Sequence, residues 1–185
     1  MKHLSKICVL LVVFVLVSFA PSAFAEGPPE SQKIGVGFAT THSGGNLIGL
    51  SFRSWTESPW GFEVGWTTRG YKIPGNETYR WHVIPVSVLY TLTHYDVDSV
   101  YIRPYVGGGI NFGTFPTWEC SVNNNYTSYG CERKNATKIG GQGFGGAEFT
   151  FKGFPKLGLS ADLGFSGIGG GNNFGFNFKA HYYLK

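Results

Sequence analysis

Charged residues and long hydrophobic runs are both scarce in this chain of 185 residues. Charged side chains make up only 14% of it, against 42% hydrophobic and 17% aromatic residues. After residue 25, no window has the length and apolarity of a membrane helix, which needs roughly 20 apolar residues. The net charge is only +4, so we expect no nucleic-acid partner. These scarcities exclude a helical membrane protein and a strongly basic binding protein.

Cysteine is rare as well, with three residues in the whole chain. Cys8 lies within an N-terminal apolar run, whereas Cys120 and Cys131 lie together in an Asn-rich segment. Two cysteines without a nearby histidine are too few ligands for a metal site. In an exported protein they are expected to form one disulfide that closes a short loop. We therefore predict a disulfide between Cys120 and Cys131, and no metal or cofactor.

The first 25 residues have the pattern of a secretory signal peptide. Lys2 and Lys6 precede an apolar run at 7–19, and Ala23-Phe24-Ala25 forms an A-x-A cleavage site. A single membrane anchor would need a longer apolar run without that site. We expect residues 1–25 to be removed and residues 26–185 to form one domain. That domain keeps 13 Lys and Arg against 11 Asp and Glu.

The remaining chain alternates between apolar and polar residues, as strands with two different faces do. Alternation is clearest near the C-terminus, and we count eight such segments: 33–41, 47–55, 60–70, 79–92, 99–113, 137–151, 157–167 and 173–184. Short connections at 56–59, 93–98 and 152–156 contrast with the long segment 113–136. Strands of roughly ten residues, short periplasmic turns and longer external loops are typical of membrane barrels. The sequence predicts an all-β fold, an eight-stranded antiparallel up-and-down transmembrane β-barrel.

One face of these segments carries no charge near its middle, where a lipid-facing Arg or Lys would cost about 2–4 kcal/mol. Aromatic residues lie towards both ends of the segments, which predicts two interfacial girdles. Near the short turns they include Trp55, Trp60 and Tyr90, and near the other end Trp66 and Trp81. The uncharged face is therefore predicted to face lipid.

The opposite face carries three cations and three anions, with His181 beside them: Arg53, Glu63, Arg103, Glu148, Asp162 and Lys179. Turn geometry predicts that Arg53 lies opposite Glu63. It also predicts Asp162 opposite Lys179, and Glu148 beside Asp162. Side chains fill the interior of an eight-stranded barrel, so we predict a charged plug in the lumen in place of an open pore.

Taken together, the signal peptide, the eight alternating segments, the girdles, the internal charges and the aromatic-rich last strand resemble the small outer-membrane barrels of OmpA and OmpX type. The resemblance covers residues 33–185 and rests on pattern. It implies a monomer in the cell outer membrane, in contact with outer-membrane lipid and lipopolysaccharide and inserted by the outer-membrane assembly machinery. It further implies a structural or surface-interaction role in the envelope, without enzymatic activity.

Two other functions stay open on the sequence alone. Ser160, Asp162 and His181 share the inward face of the last two strands, which would suit a lipid-modifying hydrolase. A narrow pore for small solutes is the second alternative.

Two local features concern the outer rim and the prolines inside strands. Arg69, Lys72, Arg80 and His82 lie at the outer rim, where they either contact lipopolysaccharide phosphates or are solvated. Pro85 and Pro104 lie inside strands, where they cannot donate ladder hydrogen bonds, and we expect them to face each other.

Overall fold

A computed structural model describes residues 34–41, 47–72, 78–122, 129–168 and 171–184. The predicted signal peptide, residues 1–25, lies outside these ranges. The described residues contain no helix with the length and apolarity to cross a membrane. The strands are β1 (Ile34–Thr41), β2 (Leu47–Trp55), β3 (Trp60–Lys72), β4 (Thr78–Thr91), β5 (Tyr95–Val97), β6 (Val100–Val122), β7 (Tyr129–Phe151), β8 (Leu157–Ile168) and β9 (Gly171–Leu184).

The strands form one closed sheet in which all neighbouring strands are antiparallel. β1 pairs with both β2 and β9, and β4 pairs with β6, which closes the ring. The short strand β5 pairs with β6 just beyond the end of β4, so it continues the same barrel strand after a break at residues 92–94. Eight barrel strands result, and the predicted fold class is confirmed.

Burial alternates along the strands because successive side chains point to opposite faces of a sheet. In β2, Leu50 and Phe52 are exposed on the outer wall, whereas Ser51 and Arg53 are buried inside. Among the described residues, 15 buried side chains are polar or charged and seven are hydrophobic. The barrel therefore has an apolar outer wall around a polar interior, the reverse of a water-soluble domain.

The two ends of the barrel differ in their connections. Turns at 56–59, 98–99 and 152–156 lie at one end. Ile34, the first residue of β1, and Leu184, the last residue of β9, pair with each other at the same end. We call this the short-turn end and the opposite one the loop end. The predicted connection at 93–98 is too long, because Tyr95–Val97 pairs with β6 and leaves a two-residue turn. Asp98 in that turn has φ of 37°, as tight hairpins require.

The predicted long loop at 113–136 is wrong for most of its length. β6 continues to Val122 and β7 begins at Tyr129, and the two strands pair throughout. Pairing between β6 and β4 stops at Thr114, so the rest of the β6–β7 hairpin projects past the barrel at the loop end. A two-stranded ribbon with no enclosed face needs no apolar alternation, which is why its sequence resembles a loop.

The two strand prolines do not face each other, which corrects the prediction. Pro85 pairs with Asn111, and Pro104 pairs with Ala147. Opposite Pro85, Gly65 lets the proline ring come close, since a Cβ at Gly65 would lie 2.9 Å from the Pro85 Cγ.

Pro104 lies beside a β-bulge. Between the pairs Thr91↔Tyr105 and Tyr95↔Ile102, three residues on one strand face two on β6. The Leu92 amide still donates to the Pro104 carbonyl at 3.0 Å. Because the bulge interrupts the regular ladder at this point, the amide hydrogen that Pro104 lacks is not needed, and the barrel stays closed.

A disulfide between Cys120 and Cys131 is a testable expectation of the hairpin register, which places these residues directly opposite each other. Opposed residues of an antiparallel pair have Cα atoms about 4.5–5.5 Å apart, within the range that a disulfide spans. Protein isolated without reductant should therefore show a cross-linked peptide by mass spectrometry. Closing a loop of roughly ten residues should stabilise the fold by about 3 kcal/mol in the chain-entropy treatment.

The matched control is the double variant Cys120→Ser/Cys131→Ser. It should still form a barrel, because neither cysteine lies in the part of the hairpin that pairs with β4 or β8. Alkylation of both thiols in unreduced protein would contradict the prediction.

Candidate functional site

Six charged side chains point into the barrel from six different strands. They are Arg53 of β2, Glu63 of β3, Arg103 of β6, Glu148 of β7, Asp162 of β8 and Lys179 of β9, and each is at most 8% exposed. We call this set the luminal ion-pair cluster. Buried charges are tolerated only when they are paired and hydrogen-bonded, so their contacts decide what the cluster does.

Arg53 lies at the centre of the cluster. Its Nε and Nη2 atoms donate to Glu63 Oε2 at 2.8 and 2.5 Å, and its Nη1 donates to Glu148 Oε2 at 2.8 Å. Weaker hydrogen bonds of 3.2 Å run from Nη1 to the Ser160 hydroxyl and from Nη2 to the Tyr105 hydroxyl. A planar guanidinium with several donors can hold all four partners at once, which a lysine ammonium cannot do in this geometry.

The remaining ion pairs extend the alternation of charge in both directions. Lys179 Nζ lies 2.6 Å from Glu63 Oε1 and 2.7 Å from Asp162 Oδ2. At the other side, Arg103 Nη1 lies 3.3 Å from Glu148 Oε1. Cations and anions therefore alternate in the order Arg103, Glu148, Arg53, Glu63, Lys179, Asp162. The cluster has no net formal charge, and every member has an opposite charge beside it.

Buried aromatic residues complete the cluster. The Tyr105 hydroxyl donates to Asp162 and accepts from Arg53, which closes a ring of interactions through Glu63 and Lys179. Tyr183 donates to Glu148 Oε2 at 2.5 Å and accepts from the Trp55 indole at 3.1 Å. The Trp55 ring also packs against the Arg103 guanidinium, 4.4 Å from ring centre to Cζ.

Reasoning from the sequence missed Tyr105 and Tyr183 and misplaced Trp55. Trp55 is predicted in the lipid-facing girdle, but it is only 5% exposed and lies in the lumen. The alternation that placed the charges on the inner face could have placed all three there as well. Trp55, Tyr105 and Tyr183 each lie two residues after an inward-facing residue, namely Arg53, Arg103 and His181. At Trp55 two signals conflict, because an aromatic residue near a strand end is also typical of an interfacial girdle.

Of the predicted cross-strand neighbours, Arg53 does lie opposite Glu63. The other two register predictions are wrong by two residues. Lys179 faces Ser160, and Ser160 also faces Glu148, whereas Asp162 faces Asn177. The β8–β9 turn is centred between residues 169 and 170, because Ile168 pairs with Gly171, and the β7–β8 turn is centred on residue 154. Each centre lies one residue before the one that the predicted pair requires. A shift of two preserves the face, so Lys179 still reaches Asp162 diagonally.

Ser160, Asp162 and His181 each bind other groups and do not form a catalytic arrangement with one another. Ser160 accepts from Arg53, and Asp162 binds Lys179 and Tyr105. His181 Nε2 lies 3.0 Å from the Ser51 hydroxyl. Its ring reaches β2 across β1, where Gly37 is the paired residue and contributes no side chain.

Several further polar contacts fill the lumen towards the loop end. Asn111 Nδ2 donates to the Ser166 hydroxyl at 2.8 Å, and Gln142 Nε2 donates to the Ser87 hydroxyl at 2.6 Å. Within the described part of the chain, no group of three or more His, Cys, Asp or Glu side chains is arranged to hold a metal ion.

The basic residues of the outer rim are brought together by their backbone register. Gly70 pairs with Arg80, and Thr68 pairs with His82. The Arg80 side chain is exposed, and the His82 ring stacks on Trp66 with 6.1 Å between centres. The side chains of Arg69 and Lys72 lie outside the described part, so contact with lipopolysaccharide stays a prediction.

A closed eight-stranded antiparallel barrel with a polar interior and an apolar outer wall is the fold of the small outer-membrane β-barrels. Among solved structures, the chain is similar to the N-terminal β-barrel domain of Pseudomonas aeruginosa OprF. The identity is 13%, the TM-score is 0.50, and the match covers 80% of this chain and 94% of that one.

Other solved structures are similar at lower scores. Ail, the attachment invasion locus protein of Yersinia pestis, in complex with the heparin analogue sucrose octasulfate, has 14% identity and a TM-score of 0.43, with 82% and 96% of the two chains covered. The Yersinia pestis outer membrane protein Ail in a phospholipid bilayer nanodisc has 14% identity and a TM-score of 0.37, with 82% and 97% covered. No family model and no curated protein matches the chain.

The central ion pair is testable by a double-mutant cycle. Arg53→Ala should leave Glu63 and Glu148 buried without their main cation, and breaking a buried pair typically costs about 3–5 kcal/mol. The double variant Arg53→Ala/Glu63→Ala should be less destabilised than the sum of the single variants, because it leaves one orphaned charge fewer. Reversible urea unfolding in detergent micelles or lipid vesicles measures these free energies.

The exposed pair between Lys152 and Asp96, 2.5 Å apart, serves as the control. Its removal should change the free energy of unfolding little, because water screens both groups. Additive effects of Arg53→Ala and Glu63→Ala would show that the two side chains are not coupled.

Proposed function

We propose that the protein is a monomeric outer-membrane barrel whose lumen is closed by the luminal ion-pair cluster, with a structural or surface-interaction role in the cell envelope. The observation that carries this proposal is Arg53, which binds side chains from β3, β6, β7 and β8 at once. These contacts run across the lumen between distant walls of the barrel. An ion crossing the lumen would have to break several of them.

The outer wall supports insertion into a lipid bilayer. Exposed side chains on it include Phe38, Phe62, Phe176 and Phe178, each more than half exposed. Such a band would be unfavourable in water and suits the hydrocarbon core of a membrane. Trp60 and Tyr90 pack edge to face at the short-turn end, with 4.9 Å between ring centres. Amphipathic aromatic residues favour this position at a membrane interface.

The short-turn end is the one we place in the periplasm. Its turns span two to five residues, as in known outer-membrane barrels, where longer connections face outwards. The projecting β6–β7 hairpin then extends beyond the cell surface. That orientation makes the hairpin and the basic rim the parts available to lipopolysaccharide or to external partners.

An enzymatic role has little support from the contacts of the lumen. Ser160, Asp162 and His181 are each held by other groups, and their place inside the barrel is hard for lipid to reach. A narrow pore is the stronger alternative, since polar residues also line the loop end of the lumen, among them Asn111 and Gln142. The two experiments below test the membrane barrel and the closed lumen separately.

Heat-dependent mobility on gels tests the barrel. Mature protein expressed with its leader in a Gram-negative host should fractionate with the outer membrane and begin at Glu26. It should migrate faster unheated than boiled, because a folded barrel is more compact than the unfolded chain. A soluble periplasmic pool without any mobility shift would contradict the membrane assignment.

Planar-bilayer conductance tests the closed lumen. Wild-type protein should conduct little, whereas Arg53→Ala and Glu63→Ala should raise the conductance, because water enters to solvate the orphaned charge. Arg80→Gln, a change to an exposed residue at the rim, is the matched control and should behave as wild type. A wild-type conductance that is large and insensitive to Arg53→Ala would exclude the plug and favour the pore.

A further inference from the structure

The β7–β8 turn, residues 152–156, carries an exposed aromatic residue at the short-turn end, and backbone hydrogen bonds hold the turn in place. Phe154 is 71% exposed, more than any other large hydrophobic residue in the described ranges. The Phe154 amide donates to the Phe151 carbonyl at 2.8 Å, and the Leu157 amide donates to the Phe154 carbonyl at 2.9 Å. The Lys152 amide also donates to the Ser99 carbonyl at 2.9 Å, which joins this turn to its neighbour.

The two lysines that flank Phe154 have different surroundings. Lys152 Nζ lies 2.5 Å from Asp96 Oδ1, and this hydrogen bond raises the pKa of Lys152. Its charge is therefore already balanced by a carboxylate. Both ammonium groups lie over an aromatic ring: Lys152 Nζ is 5.1 Å from the ring centre of Tyr101, and Lys156 Nζ is 6.0 Å from that of Tyr182. Of these two rings, Tyr182 is the one that is exposed on the outer wall, at 52%. Lys156 thus places its ammonium group beside the apolar band.

We propose that this turn binds the phosphate of a phospholipid with a net negative headgroup, with Lys156 as the charge partner and Phe154 as the apolar anchor. The inference rests on the proposed function, because it needs the barrel to lie in a bilayer with its short-turn end at an interface. An aromatic ring favours that depth, and a lysine stem lies along apolar surface while its head reaches the phosphates.

The continuity of the turn with the outer wall argues for lipid as the occupant. Leu157 and Tyr182 form the β8–β9 pair nearest the short-turn end. Both side chains are exposed, as is that of Phe151. Phe154 therefore extends the apolar band by one turn and does not form a separate patch. A basic residue at an anionic surface contributes about 1 kcal/mol, which sets the expected preference for anionic over zwitterionic lipid at about fivefold.

Lipid retention measured by native mass spectrometry tests the site. Purified barrel is equilibrated with equal amounts of phosphatidylglycerol and phosphatidylcholine, after its gel mobility shift has shown that it is folded. Wild-type protein should retain phosphatidylglycerol about fivefold more than phosphatidylcholine, and Lys156→Gln should remove most of that preference. Lys152→Gln is the matched control and should keep the preference, because Asp96 already neutralises Lys152. Phe154→Ser should lower the retention of both lipids alike.

Other results would overturn either the proposed lipid site or the membrane barrel. Equal loss of preference in Lys152→Gln and Lys156→Gln, or none in either, would overturn the proposed site. Displacement of retained lipid by millimolar inorganic phosphate would show that the site binds the phosphate alone, and would also overturn it. Failure of the wild-type protein to enter lipid nanodiscs would instead reject the membrane barrel itself, which separates the two proposals.

Discussion

Six charged side chains are buried inside a narrow barrel, and their need for partners governs how the strands pack and pair. An ionised side chain in a low-dielectric interior is costly unless opposite charges and hydrogen bonds surround it. The chain meets this requirement by alternating cations and anions around Arg53, with Tyr105 and Tyr183 using the remaining acceptor positions. Because the partners come from six strands, each strand must hold its register for the others to remain paired.

Glycines on β1 make room for this arrangement. A Cβ at Gly35 would lie 2.8 Å from the Tyr183 ring, and Gly37 is the β1 residue that His181 crosses to reach Ser51. One barrel strand thus contributes almost nothing to the lumen so that its neighbours can contribute large side chains. In a barrel of eight strands, where the interior is filled by side chains, this division of space replaces a hydrophobic core.

Much of the fold could be predicted from the sequence because a period of two is a direct consequence of strand geometry. Charged residues on one face and apolar residues on the other identified the lumen, even where the register was wrong. Asp162 and Lys179 illustrate this, since a register that differs from the predicted one by two residues leaves both side chains pointing inwards. The projecting hairpin could not be predicted, because residues without an enclosed face carry no alternation. Trp55 could not be placed by its residue type, since an indole suits both an interface and a buried cation.

The closure of the barrel by its first and last strands also completes its internal charge balance. Lys179, His181 and Tyr183 all lie on β9, which meets β1 to complete the ring. Until that strand docks, Glu63 and Asp162 lack the ammonium group that lies between them. A chain whose last strand has not yet joined therefore holds an excess of negative charge in its interior. The six luminal charges balance only when β9 contributes Lys179. The unbalanced charge disfavours a barrel without β9, and this favours cooperative closure.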